Sequence, residues 1–221
     1  MFDFLEGYDL LGAFWVTVQL TVYSAIGSLI WGTILAAMRV SPVPLMRGFG
    51  TSYVNVVRNI PLTVIIVFTS LGLFQTLSVS LGAQDFETIN FRLSVLGFIA
   101  YTSAFVCEAL RSGTNTVPVG QSEAARAIGL SFTQVLSLIV LPQAFRSVVG
   151  PLANVLIALT KNTTVAAAIG VAEAATLMRE MIENEAQLIL ISAIFALGFI
   201  CLTLPTGLIL GWVSKKVAVR R

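Results

Sequence analysis

The chain has 221 residues, of which 57% are hydrophobic and 11% charged, with a net charge of +2. A soluble domain carries about 25% charged residues, so long apolar runs with half that charge describe a chain dissolved in lipid and exclude a disordered chain or a disulfide scaffold. Histidine is absent, which removes imidazole from every catalytic and metal-binding role, and the small positive balance points to no nucleic-acid partner.

A helix needs about 20 apolar residues to cross the hydrocarbon core. Five runs meet that requirement, at about 10–38, 51–77, 93–110, 147–169 and 188–213. The first is preceded by Asp3, Glu6 and Asp9 and by no basic residue. A secretory signal needs the reverse, so no cleavage is expected. Arg39 and Arg47 separate the first and second runs. Asp85 and Glu87 precede the third, with Arg92 beside them. Arg111, Arg126 and Arg146 flank the connection from third to fourth. Glu173, Glu180, Glu183 and Glu185, with Arg179, separate the fourth from the fifth, and Lys215, Lys216, Arg220 and Arg221 follow it. Basic and acidic connections alternate. The positive-inside rule then places the N-terminus outside and the C-terminus in the cytoplasm of a multi-pass plasma-membrane protein. The expected fold is all-α, a single integral membrane domain over 1–221 with five transmembrane helices. No internal repeat is visible, and five helices cannot form two equal halves, which weighs against a self-contained carrier. Cys107 and Cys201 both sit in apolar runs and read as small core residues.

Residues 117–146 form the informative connection. Pro118 ends the preceding helix. Ser122-Glu123-Ala124-Ala125-Arg126-Ala127 is a run of helix formers. Gly129 should end it in a conformation that other residues resist. The expected product is a short helix with an alanine face on the cytoplasmic side. Pro142 should mark the re-entry towards the membrane.

Glu123-Ala124-Ala125, three residues, Gly129, nine residues, Ile139, one residue and Leu141-Pro142 resemble the Glu-Ala-Ala loop of the membrane subunits of bacterial ABC importers. Asn59-Ile60-Pro61-Leu62, Glu108-Ala109-Leu110-Arg111, Gly120-Gln121-Ser122, Leu141-Pro142-Gln143-Ala144 and Lys161-Asn162-Thr163 resemble the polar amino-acid branch of that family. Ala13-Phe14-Trp15-Val16-Thr17, Met38-Arg39-Val40-Ser41-Pro42 and Ala158-Leu159-Thr160-Lys161 are similar to permeases of actinobacterial glutamate uptake systems. In much of the branch the Lys161 motif continues Lys-Asp-Thr-Ser-Leu, whereas this chain has Asn162, Thr164 and Val165.

The resemblance implies a type I importer permease that moves a polar amino acid, L-glutamate first among them, into the cytoplasm. Two permease subunits would form the pathway, and the glutamate systems pair two different ones, which favours a heterodimer. Two cytoplasmic ATPase subunits would bind ATP and Mg, and an extracytoplasmic binding protein would deliver the solute. Residues 117–130 would be the coupling helix, with Gly120, Glu123, Ala124, Ala125 and Gly129 at the ATPase. Glu123 would pair with a basic ATPase residue or cap its own helix. The chain has no Gly-x-x-x-x-Gly-Lys-Ser/Thr loop, so hydrolysis is expected in a partner and the chain itself is not an enzyme.

Ionisable groups at membrane depth are costly, and are paired or functional. Arg58 lies beside Asn59 and before Pro61; it reads as an ion-pair member, as a snorkelling cation, or as a cation near the inner exit. Glu108 is expected to pair with Arg111 or Arg58. Lys161 lies deepest, roughly 22 Å along a helix from Arg146, and either pairs with a backbone carbonyl or another subunit or balances an anionic solute. Asn154, Asn162 and Thr163 accompany it as donors, and Asn162 can donate to a second carboxylate where an acid would repel it. The substrate path expected is therefore Arg58, Asn59, Glu108, Asn154, Lys161, Asn162 and Thr163. The alternative is an autonomous ion-coupled carrier or channel in which Arg58, Glu108 and Lys161 form a relay. Pro61 and Pro151 should kink their helices, and Gly207 and Gly211 form a small-residue pair suited to helix packing.

Overall fold

A computed structural model describes residues 7–114 and 116–217. Among them every regular element is helical: α1 (Leu10–Val40), α2 (Pro44–Arg58), α3 (Leu62–Val67, continued by a π-helix Phe68–Thr76), α4 (Phe86–Thr114), α5 (Val119–Ala127), α6 (Phe132–Gln134, continued by a π-helix Val135–Val140), α7 (Leu141–Asn162, continued by a 3-10 helix Thr163–Ile169), α8 (Ala174–Glu185) and α9 (Leu188–Val217).

Local chemistry sets the ends. The Asp9 carboxylate accepts from the Gly12 amide at 2.8 Å and starts α1. Ser41 turns extended before Pro42 and stops it. Asp85 accepts from the Thr88 amide at 2.8 Å, so α4 starts several residues before the apolar run that marks it in the sequence.

Among the described residues four helices are long and apolar enough to cross a membrane: Leu10–Val40, Phe86–Gly113, Ser137–Ile169 and Leu188–Val213. The run at 51–77 is not one helix. α2 and α3 meet at 105° and make a fifth crossing only as a bent pair. Pro61 has no amide hydrogen and its ring excludes a preceding helical turn, so the chain breaks at Asn59–Pro61 where only a kink was expected. Pro142 does not mark a re-entry. It stands in the first turn of α7, and the helical path runs on through it from Phe132. Pro151 is inside α7, as expected.

Contacts give the direction of each pass. Gly27 lies against Ile99 and Gly32 against Val106 and the Ser103 carbonyl, so α1 and α4 run parallel. Gly97 meets Ile66, and Ser70 Oγ donates to Asn90 at 3.1 Å, so α3 runs against them. Gly113 meets Val148, while Asn90 Nδ2 donates to the Ile169 carbonyl at 2.8 Å, which makes α7 antiparallel to α4. Phe14, near the start of α1, stacks on Phe195 and meets Phe199 edge-on, near the start of α9, while Gly207 further along α9 faces Ile157, nearer the other end of the bundle, so α9 runs with α1. Successive passes therefore alternate. The central core joins Leu20, Leu62, Ile66, Phe98, Leu159 and Ala166 from α1, α3, α4, α7 and its 3-10 extension.

One end of the bundle carries α8. Tyr8 Oη donates to Glu185 at 3.2 Å, and Glu173 is fully buried. Its carboxylate accepts from the Ala175 and Thr176 amides at 2.9 and 3.1 Å and from Thr17 Oγ1 at 3.3 Å. Burial pushes its proton affinity up, against those three donors. Glu173 is thus a buried helix cap, where the sequence presents it as one more acidic loop charge. The exposed apolar side chains Trp15, Ile26 and Ile30 of α1 and Leu197, Leu204 and Trp212 of α9 form the surface that lipid or another subunit covers. Cys107 is buried, but Cys201 is exposed among these α9 residues and is not a core residue. A Cβ on Gly207 would lie 3.4 Å from Ile157, whereas one on Gly211 would meet nothing within 4 Å.

Candidate functional site

The other end of the bundle carries α5. Pro118 precedes its first turn, and Ser122 Oγ donates to the Val119 carbonyl at 2.8 Å. Gly129 ends it with φ +92°. In that conformation the Gly129 amide reaches the Arg126 carbonyl at 2.9 Å and the Leu130 amide reaches Ala125 at 3.1 Å. The positive φ expected from the sequence is present. Ala125 is buried against the rest of the chain, while Glu123, Ala124 and Ala127 are exposed. Glu123 does not cap α5, whose first turn has no side-chain cap. Ile128 is 81% exposed, so the helix end presents an apolar side chain outward. Gln143 Nε2 of α7 donates to Gln121 Oε1 at 2.7 Å and to the Ile139 carbonyl at 2.9 Å. This pair ties α5 to the first turn of α7.

A cavity of about 310 Å³ lies between α4 and α7, lined by Tyr101, Thr102, Phe105, Asn154, Val155, Ala158 and Asn162. That is the lower end of the ligand-pocket range of about 300–1,000 Å³. Asn154, Ala158 and Asn162 recur on one helical face. The cavity sits at mid-depth, since Leu159 packs in the same core as Phe98, near the centre of α4. Its lining has four polar side chains and no acid. Lys161 is exposed on the adjoining face of α7.

The remaining residues expected in a path divide. Thr163 is fully buried and donates to the Thr160 carbonyl at 2.7 Å; it faces the core and not the cavity. Asn59 Nδ2 donates to the Asn55 carbonyl at 2.6 Å, so it closes the end of α2 and does not line the cavity either. Glu108 is held by Arg39 in a direct ion pair. Arg58 and Arg111 stand 3.9 Å from the same Oε1. Both pairings expected from the sequence, with Arg58 and with Arg111, are present, and Arg39 adds a nearer third partner, because the parallel packing of α1 and α4 brings the last turn of α1 level with Glu108. The Arg58 guanidinium also lies over the Phe105 ring, 5.5 Å from its centroid. Arg58 and Glu108 meet, but Lys161 lies more than two helical turns further along the bundle. Among the described residues these three do not make the continuous relay that an ion-coupled carrier would use. Tyr101, Thr102 and Phe105 were missed because they sit in an apolar run with no charge to single them out.

Residues 28–219 match the family described as the binding-protein-dependent transport system inner membrane component. The chain belongs to that family. It is 58% identical, over 97% of its length and 96% of the relative's, to the glutamate transport system permease protein GluC of Corynebacterium efficiens. The corresponding protein of Corynebacterium glutamicum is 55% identical over the same shares. A probable glutamine ABC transporter permease, GlnM of Bacillus subtilis, is 31% identical over 98% of this chain and 96% of its own. Among solved structures, an amino acid ABC transporter crystallised with histidines superimposes with a TM-score of 0.84 at 23% identity, covering 94% of this chain and 93% of that one. An inward-facing methionine ABC transporter gives 0.74 at 16% identity, over 95% and 96%. The fold is that of type I ABC importer permeases, and the permease is a multi-pass membrane protein.

Proposed function

We propose that this permease is the membrane subunit of an ATP-driven importer that carries L-glutamate into the cytoplasm. The observation that carries the reading is a mid-depth cavity with asparagine donors and no acid, in a chain that matches two glutamate permeases end to end. A second, related permease subunit completes the pathway, favoured as a heterodimer. Two ATPase subunits hold ATP and Mg and dock at α5, through Gly120, Glu123, Ala124 and the outward-facing Ile128. An extracytoplasmic binding protein delivers glutamate at the α8 end. The alternation of acidic and basic connections supports an outside N-terminus and a cytoplasmic C-terminus.

The chemistry follows from the lining. A carboxylate leaving water for an apolar-walled passage needs donors or a cation to offset its desolvation. The Asn154 and Asn162 amides supply donors without adding negative charge, and Lys161 adds a cation beside them. Asn162→Asp should therefore lower glutamate uptake at least ~10-fold more than glutamine uptake, a loss in keeping with a charge-assisted hydrogen bond. Uptake is measured in vesicles holding the complete transporter, with the binding protein loaded by each amino acid and corrected for permease abundance. Equal losses would remove Asn162 from the path. Absence of glutamate uptake by the wild-type complex would overturn the function itself.

A further inference from the structure

The cluster around Glu108 holds more positive charge than its acid can use. Arg39 binds the carboxylate directly, and its side chain is 9% exposed. Arg58 stands 3.9 Å away, too far for a hydrogen bond, and its side chain is 43% exposed. Its second hold is the face of Phe105. A cation over an aromatic face is positioned without being neutralised. Phe105 is itself a wall of the cavity. Arg58 does not line the cavity; it lies against Phe105, the wall residue nearest Glu108 in sequence, with that ring as its link to the cavity. Lys161 and Asn162 mark the other end, because the lining along α7 runs from Asn162 to Asn154 over about 12 Å. The cavity is uncharged between two cations. Arg58 is also the last residue of α2, immediately before the 105° break, so any change of angle there moves its guanidinium relative to Phe105.

We infer that Arg58 is a specificity-determining residue, which receives the side-chain carboxylate of a dicarboxylic amino acid as the solute leaves the cavity. The inference rests on the reading of the chain as a glutamate permease. A dicarboxylic amino acid has two carboxylates and one ammonium. The asparagines serve one carboxylate, and the second needs a partner further along the route. Arg58 offers two guanidinium edges and a planar fork that matches a carboxylate. It can leave Glu108 without stranding that acid, because Arg39 remains.

The test uses the complete transporter, with partner permease, ATPase and binding protein, in proteoliposomes. Glutamate uptake and ATP hydrolysis are measured together at saturating glutamate-loaded binding protein. Arg58→Gln should cut glutamate delivered per ATP by ~10-fold or more, with binding-protein-stimulated hydrolysis retained. Arg58→Lys, which keeps the charge and loses the fork, should recover at least a third of the wild-type ratio. The Arg39–Glu108 pair is intact in both, so the bundle should assemble, and copurification with the ATPase checks this. An unchanged ratio in Arg58→Gln overturns the inference, as does a parallel fall of uptake and hydrolysis in both variants. Failure of the wild type to move glutamate overturns the parent reading instead.

Discussion

Gly129 and Gly120 form a matched pair that isolates backbone conformation from packing. Both lie exposed at the α5 end, and a Cβ built on either meets nothing within 4 Å. Gly129 has φ +92°, whereas Gly120 is an ordinary helical residue. An L-residue forced into the left-handed region costs roughly 1–2 kcal/mol. Alanine in place of a helical glycine gains roughly 0.5–1 kcal/mol. At about 1.4 kcal/mol per factor of ten, Gly129→Ala should raise the opening of the α5 end ~5–30-fold. Gly120→Ala should lower it ~2–5-fold by the same arithmetic. Amide hydrogen exchange over residues 119–130, in lipid nanodiscs, reads both changes directly. Gly129→Val, with a β-branched side chain, should show the larger effect and retain less ATPase on copurification. If the two alanine variants shift exchange in the same direction, the positive φ is not what shapes this helix end.

Arg39→Met removes the direct partner of Glu108. Loss of one member of a buried pair costs about 3–5 kcal/mol, but here Arg58 and Arg111 already stand 3.9 Å from the acid. The expected destabilisation is therefore about 1–3 kcal/mol, and the double variant with Glu108→Met should lose less than the sum of the singles; additive losses in thermal unfolding would contradict the pairing. Glu173 is held above the ordinary carboxylate range by burial, so the folded protein prefers its protonated form. Its contribution to stability is present at low pH and falls as pH rises through that raised value. Glu173→Gln keeps the capping oxygen, so its melting temperature should exceed the wild type's increasingly with pH; a difference independent of pH would show that burial of charge is not the cause. Cysteine placed at Gln84 and at Ser122, at opposite ends of the bundle, should label from opposite faces of sealed cells. Labelling of both from outside would overturn the orientation.

How much of this the sequence disclosed depended on whether the determinant was local. The Gly129 turn and the α5 helix were legible because a glycine and a run of helix formers act within one or two turns. The end of α2 was half legible: Pro61 announced an interruption, but its angle comes from how α3 packs Leu62 and Ile66 into the central core. Arg39 looked like a loop charge because its pairing with Glu108 depends on the parallel packing of two helices 69 residues apart. Glu173 was misplaced for a similar reason, since its burial is made by Thr17 of α1, 156 residues away. Asn154 and Asn162 could be named from their residue type, whereas the aromatic wall of Tyr101 and Phe105 belongs to an apolar stretch that reads as lipid-facing until α7 is laid against it.

The position of the cavity follows from where α4 and α7 are pinned. At one end Ser147 Oγ lies 3.1 Å from the Gly113 carbonyl and 2.8 Å from that of Ala144, and a Cβ on Gly113 would lie 3.1 Å from the Ala144 carbonyl. The backbones therefore come close there, and a side chain at Gly113 would make its neighbours give by a few tenths of an ångström. At the other end Phe98 and Leu159 share the central core. Between these fixed points α7 carries Pro151, which cannot donate to the Ser147 carbonyl and leaves the helix a compliant turn. The two helices part over that stretch, and Tyr101, Phe105, Asn154 and Asn162 face the gap. Gln143, which holds α5, is one residue before Ala144 and about 16 Å along the helix from Asn154. Any displacement of α5 would therefore reach α7 beside its pinned end, with Pro151 between that point and Asn154.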